Sequence, residues 1–536
     1  AYLYWSRRLC NFLNGTGQKR VRPVRGHGWR PLLRSLFLWS CEELLSWWLA
    51  SEAFFLLYYL FKRRCLQDRA HPPRMPPGRP LEVLRRSLTA TDVIQSEGKV
   101  VDAPYGSPLV SARTSFHDLQ QARVHHEWSV EDLLRLQTLS AGETSKHGDA
   151  EEIKELKVAE VAGWFLHRRG GEWHRWPAAK VAELGRENVA QWMAWAFWNS
   201  EPSEVPEASR QEMEQLIDEV KKWAGIELAG DFNPNAHAMR LTMDPIPSEH
   251  RPLIYYTVTA LVFPLIVRAQ MTHMGFTRHK SGTLGYWRRA GSGSADPPLV
   301  FCHGVGVNLM PYAPFIDVII KQSPNRSIFL VSLPHISMHI REDCPSSAEM
   351  VACLRDMLAS WGNSAAHFIG HSFGSLLVAW MVLQEPAMVS MATFIDPVCF
   401  LLVKPDVCYN FMYREPETPT QLLTHYFVAR ELYIAHSLSR NFFWSQNLLW
   451  PEDLKCPALV VLSGQDSIVP AHSVRRYVAA VKGKSAQKNL RTMWFKDLGH
   501  GEINFGPVGL QACQSIVSEM LLMESSHHAV EALRAA

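Results

Sequence analysis

A chain of 536 residues exceeds what one hydrophobic core accommodates, so two folded units with appendages are expected. A hydrophobic content of 47% with 20% charged residues excludes wholesale disorder. The net charge of +3 hides a basic start: residues 1–86 carry +11 and the remainder −8, and with no helix-turn-helix, zinc-finger or RNA-binding signature beside it, this points to anionic lipid or targeting and away from nucleic acid.

Residues 44–61, LLSWWLASEAFFLLYYLF, are apolar apart from Glu52 and end at Lys62, Arg63 and Arg64. That length is about one bilayer crossing, and the flank is not that of a cleaved signal peptide. A buried amphipathic helix is the alternative, favoured by Glu42, Glu43 and Glu52. Basic residues on both sides leave the orientation open, and the Arg-rich, acid-poor start also suits a mitochondrial transit peptide. The proline-rich residues 71–80 read as a linker closing an N-terminal region over 1–87.

A mainly helical region is expected over 88–280. Val189, Trp192, Met193, Ala196 and Phe197 share one helical face, and Met213, Leu216, Ile217 and Val220 share another. The many tryptophans here, Trp164, Trp192 and Trp195 among them, are expected to pack in a core, with a membrane-interface belt as the alternative. Residues 253–267, apolar and interrupted by Pro264, are short for a crossing and read as a buried or interfacial helix, with a second crossing as the alternative.

After residue 281 the pattern changes to short apolar runs at 282–289, 298–304, 327–333, 365–370, 391–396, 457–464 and 491–499, separated by helix-length segments. Such runs suit parallel strands buried on both faces by crossover helices. One of those helices, within 346–362, opens on Ser346 and Glu349 in capping-box spacing. Ten cysteines show neither a C-x-x-C pair nor zinc-ligand spacing; they read as reduced thiols, which favours an intracellular protein.

The chemistry centres on Gly370, His371, Ser372, Phe373 and Gly374, a G-x-S-x-G motif between a strand-like and a helix-like segment. Small residues two positions either side of Ser372 permit the tight turn that exposes a nucleophilic hydroxyl over a helix N-terminus. A serine hydroxyl needs a base, and His500 follows the last predicted strand. The histidine needs an acid to hold its tautomer. Asp466, after the penultimate strand, is the first choice; Asp396, ending the strand after the nucleophile's, is the alternative. Two backbone donors must face the oxyanion, and Phe373 N–H and Val305 N–H are the candidates. His303 and Gly304 lead into that second donor, His303 as a structural hydrogen-bonding residue.

On His303-Gly304, the glycine-flanked motif at 370–374, Gly464-Gln465-Asp466 and Gly499-His500, residues 281–525 resemble the α/β-hydrolase superfamily. The resemblance implies an eight-stranded, mostly parallel sheet, a Ser-His-Asp triad and a cap inserted at about 397–455, leaving 526–536 as a tail. Tyr409, Phe411, Met412, Tyr413, Tyr426, Phe427, Phe442, Phe443 and Trp444 are then candidates to line an acyl tunnel or to pack on one another. Ser332 to His335 depart from the glycine-rich turn many relatives carry there. The layout with a candidate transmembrane helix is similar to fungal membrane-associated hydrolases. The function expected is hydrolysis of an apolar, membrane-derived acyl ester by a lipase or esterase, with membrane lipid as partner and no metal or organic cofactor. Thioesterases, amidases and acyltransferases use the same triad. The alternative from another class is a catalytically silent fold serving as a membrane interaction module.

Overall fold

The computed structural model describes residues 29–96 and 146–535, apart from 70, 71, 73, 74, 170, 171, 294, 295 and 485–488. The Arg-rich start, part of the proline-rich linker and the part of the helical reading over 97–145 lie outside the described residues.

The first apolar segment belongs to a 37-residue helix, Trp29–Cys65, whose apolar stretch Glu43–Cys65 has a mean hydropathy of 1.4. Leu44, Leu45, Trp47, Leu49, Phe54 and Leu57 are exposed, whereas Phe55, Tyr59 and Leu66 pack against Ile246, Tyr256 and Tyr433. Glu52 has a local task. Its Oε2 accepts from Leu253 N–H at 2.8 Å, satisfying one of the free donors at the start of the second apolar helix.

That second helix, Leu253–His273, buries Tyr256, Thr259, Val267 and Met271 and exposes Ile254, Leu261, Val262, Leu265 and Ile266. It widens to a π-type turn over Val258–Val262, beside Pro264, which has no N–H to give. Both helices are long and apolar enough to cross a membrane.

Between them lie the helices Arg79–Ser96, Lys146–Ala162, Arg186–Trp198 and Glu207–Ala224. The first runs through the boundary expected at 87/88, because Leu84 and Ala90 continue one buried face across it. A small antiparallel sheet accompanies them, β1 (Phe165–Arg169), β2 (Glu172–Arg175) and β3 (His237–Ala238), in the order β2-β1-β3. Helical periodicity gave no sign of it, since its strands are short and rich in Arg, His and Trp.

The main sheet contains β4 (Thr277–Ser281), β5 (Leu284–Arg289), β6 (Leu299–Cys302), β7 (Ile328–Ser332), β8 (Ala366–His371), β9 (Val389–Ile395), β10 (Ala458–Ser463) and β11 (Leu490–Phe495). Its order is β11-β10-β9-β8-β6-β7-β5-β4; β5 runs antiparallel to both neighbours and the other pairings are parallel. Alternate residues feed two cores. Val300, Phe329, Phe368, Phe394 and Val460 face one, and Leu299, Phe301, Leu330, Ile369 and Val461 face the other. The first core is continuous with the N-terminal helices, taking in Trp192, Met193 and Leu216. The expected capping box is present at the helix Ser347–Ser360. The last helix, Gly506–Ala535, continues through residue 526, where a tail was expected.

Between β9 and β10 the chain forms a cap containing the helices Pro419–Thr424 and Leu432–Asn441. Its Leu422, Leu423, Tyr426 and Phe427 are exposed, and Phe427 stacks on Tyr255 of the second apolar helix, with ring centroids 6.2 Å apart.

Candidate active site

Ser372 sits between β8 and the helix Gly374–Gln384 with φ of +52°, a conformation unfavourable for a residue with a Cβ. The flanking glycines make this turn possible. A Cβ on Gly370 would lie 2.5 Å from Gly374 O, and one on Gly374 would overlap the carbonyl oxygen of Cys302.

Ser372 Oγ lies 2.8 Å from His500 Nε2, and His500 Nδ1 lies 2.7 Å from Asp466 Oδ2. A carboxylate only accepts, so Nδ1 carries the proton and Nε2 is left to accept from the serine. Asp466 Oδ1 accepts from Ile468 N–H and Val469 N–H, each at 2.8 Å, which fixes the carboxylate plane. Burial alone would depress the His500 pKa, but the Asp466 charge and hydrogen bond, aided by Asp396, raise it to about 9.

Asp396 is fully buried with φ of +43° and does not bond His500. Its Oδ1 accepts from Ser463 N–H and its Oδ2 from Gly501 N–H, both at 3.0 Å, so it grips the residue after the histidine. His371 Nε2 lies 3.8 Å from the same Oδ2, too far for a hydrogen bond. Burial works to raise the Asp396 carboxyl, but the two nearby imidazoles and Gly501 N–H outweigh it and hold it below the usual carboxylate range. On its other side His371 Nδ1 lies 2.8 Å from Tyr312 OH, whose oxygen accepts from Gly304 N–H at 3.0 Å. Through Tyr312 the loop at Gly304 is thus bonded to His371, whose ring packs beside His500, with centroids 5.7 Å apart. Sequence reasoning missed Tyr312; an isolated tyrosine eight residues beyond Gly304 carries no motif.

His303 is a strut. Its Nε2 accepts from Leu333 N–H at 3.0 Å and its Nδ1–H donates to Gly304 O at 2.7 Å, and burial lowers its pKa to about 4. The turn at Ser332 to His335 therefore supports this loop. Gly304 Cα abuts the serine, since a Cβ there would be 2.9 Å from Ser372 Cβ. Val305 and Phe373 line the cavity beside Ser372, and neither N–H donates to another backbone group among the described residues.

The cavity measures about 730 Å³. Phe411, Met412, Phe442 and Trp444 of the cap line it, together with Trp164 and Trp195 of the N-terminal region. The other cap aromatics do different work. Tyr413 OH donates to Asp244 at 2.7 Å, Tyr409 packs on Arg175, and Tyr426 and Phe427 face outward. Asp396, Asp466 and His500 bring polar atoms within 4.8 Å of one another, but a cation there would have to displace the hydrogen bonds just described.

Residues 297–421 match a family model described as alpha/beta hydrolase fold. No curated protein matches the chain. Among solved structures it is similar to a bacterial membrane phospholipase A (15% identity, 50% of this chain and 93% of that chain, TM-score 0.36). It is similar as well to a carboxylesterase from Bacillus subtilis (13% identity, 48% and 97%, TM-score 0.34) and a putative lipase from Acinetobacter baumannii (16% identity, 49% and 97%, TM-score 0.36). With its single reversed strand β5, its eight-stranded order and the matched segment, the part of the chain from β4 onward has the α/β-hydrolase fold.

Proposed function

We propose that the protein is a membrane-associated serine hydrolase that cleaves carboxylic esters of apolar acyl groups. The observation that carries this reading is the unbroken Ser372–His500–Asp466 hydrogen-bond series opening into an apolar cavity. Ser372 Oγ attacks the ester carbonyl carbon while its proton passes to His500 Nε2. Phe373 N–H and Val305 N–H hold the resulting oxyanion, aided by the N-terminus of the helix Gly374–Gln384. Collapse of the adduct expels the alcohol, which takes the proton from His500 and leaves an acyl-Ser372 ester. Water then gives a proton to His500 and attacks that ester, releasing the carboxylic acid and restoring the serine. No metal or organic cofactor takes part.

An acyl chain fits the wall formed by Phe411, Met412, Phe442 and the two N-terminal tryptophans. Membrane attachment is supported by the exposed apolar side chains of Trp29–Cys65, of Leu253–His273 and of the cap beside them.

A fluorophosphonate probe tests the reading. Labelling of wild type and none of Ser372→Ala is expected, with turnover of p-nitrophenyl esters lost in parallel. Folded wild type that neither labels nor turns over any ester of two to sixteen carbons would overturn it.

A further inference from the structure

A second depression, of about 820 Å³, backs onto the catalytic cavity and shares Val307 with it. Phe263, Pro264 and Val267 of the second apolar helix line it. The same lining carries Arg278 and Lys280 of β4 and Arg341, and it contains no Asp or Glu. Apolar and cationic side chains lining one depression fit an amphiphile with a negative head.

The strand register explains the cationic side chains of β4. Side chains of β4 alternate, so Arg278 and Lys280 leave the same face of this edge strand. Trp287, the cross-strand partner of Arg278, packs there against Val267 and Met271 of the apolar helix. Neither Arg278 nor Lys280 forms an ion pair with a described residue, and Arg341 reaches only the exposed Asp343, at 3.7 Å.

An independent contact sets the height of this groove relative to the first apolar helix. Lys62 Nζ lies 2.5 Å from Glu342, the residue after Arg341. Lys62 also opens the basic run Lys62, Arg63, Arg64 at which the apolar stretch ends. Arg341 therefore stands beside the basic end of that stretch, where hydrocarbon would give way to headgroups if Trp29–Cys65 is inserted in a bilayer.

We propose that this groove binds the phosphate of an anionic phospholipid in the bilayer, with Arg278, Lys280 and Arg341 around the headgroup and the acyl chains along Phe263, Pro264 and Val267. The proposal rests on the membrane attachment inferred above and does not depend on the identity of the ester cleaved. A lipid held there orients the body on the membrane with the catalytic cavity next to the surface.

Flotation of the purified chain on phosphatidylcholine vesicles, with and without 30% phosphatidylserine, tests it. Wild type is expected to bind both, with partitioning about tenfold or more higher on the anionic vesicles. The variant carrying Arg278→Gln, Lys280→Gln and Arg341→Gln is expected to bind both equally and to keep its fluorophosphonate labelling. A control carrying Lys222→Gln, Lys482→Gln and Lys496→Gln, remote from the groove, is expected to retain the wild-type preference. Loss of the preference in the control as much as in the groove variant would reduce the effect to net charge and overturn the proposal. So would its abolition by millimolar inorganic phosphate at constant ionic strength, which would make the groove a site for the free ion. Wild type that binds both vesicles equally overturns the headgroup site alone, whereas wild type that binds neither overturns the membrane attachment beneath it.

Discussion

Replacing Asp466 by Asn tests the division of labour between the two buried aspartates. Oδ1 of Asp466 accepts from two backbone N–H groups, so the carboxamide oxygen of the variant stays with those donors and its NH2 turns to His500 Nδ1. An NH2 only donates, so Nδ1 must accept and the imidazole proton moves to Nε2, facing Ser372. The base is then blocked in the wrong tautomer, and kcat is expected to fall by about 10⁴-fold, about 5.5 kcal/mol of barrier. Asp396→Asn leaves that tautomer intact, since Asp396 bonds Ser463 and Gly501 instead, but its NH2 must face one of those two N–H donors; thermal stability is expected to fall while kcat stays within about tenfold. The assay is kcat/KM for a p-nitrophenyl ester from pH 5 to 10. Neutral His500 is the active form, so wild-type activity rises with pH through a pKa displaced upward to about 9. Removing the Asp396 charge moves that limb to lower pH. An Asp466→Asn variant within tenfold of wild type, beside an inactive Asp396→Asn, would refute the assignment.

Gly304→Ala places a Cβ 2.9 Å from Ser372 Cβ and 3.0 Å from His371 Nδ1, so the Val305 loop must shift; kcat is expected to drop about 100-fold with normal thermal stability. Glu524→Gln leaves Arg326, 3% exposed, without the carboxylate it now grips through both terminal nitrogens. A loss of about 3–5 kcal/mol is expected in denaturant titration. Burial would raise the Glu524 carboxyl, but His367 and Arg326 outweigh it and hold it well below the ordinary value. Its contribution is therefore complete above the unfolded pKa of about 4.3 and is lost as pH falls toward the folded value, so the wild-type advantage over the variant is expected to shrink in acid. Phe411→Trp narrows the cavity and is expected to shorten the preferred acyl chain in an ester series, each excluded methylene costing about 0.8 kcal/mol in kcat/KM.

The seven apolar runs after residue 281 became β5 to β11; β6 to β10 are almost wholly buried and hydropathy reports burial, while the less buried β5 and β11 still carry apolar side chains. The eighth strand, Thr-Arg-His-Lys-Ser, pairs on one side only, and its charges read as loop for the same reason that they suit an edge. The glycine spacing around Ser372 was legible because it reflects backbone clearance within five residues. The sequence ranked Asp466 ahead of Asp396 without separating them, since both end a strand and differ in whether the side chain meets the His500 ring or the next backbone N–H. Likewise, sequence alone linked Tyr312 to nothing, and gave no reason to bring Trp164 to a serine more than 200 residues away.

Trp164 and Trp195 reach the cavity beside Ser372 from a region that the hydrolase family match does not include. If the chain acts as proposed, substrate preference can drift while the serine, histidine and aspartate remain fixed, by exchanging indoles in an N-terminal region that carries none of the three. Two such proteins could look interchangeable over residues 297–421 and still select different acyl chains. Excising that region would remove part of the cavity wall and strip one side of a core the two regions share.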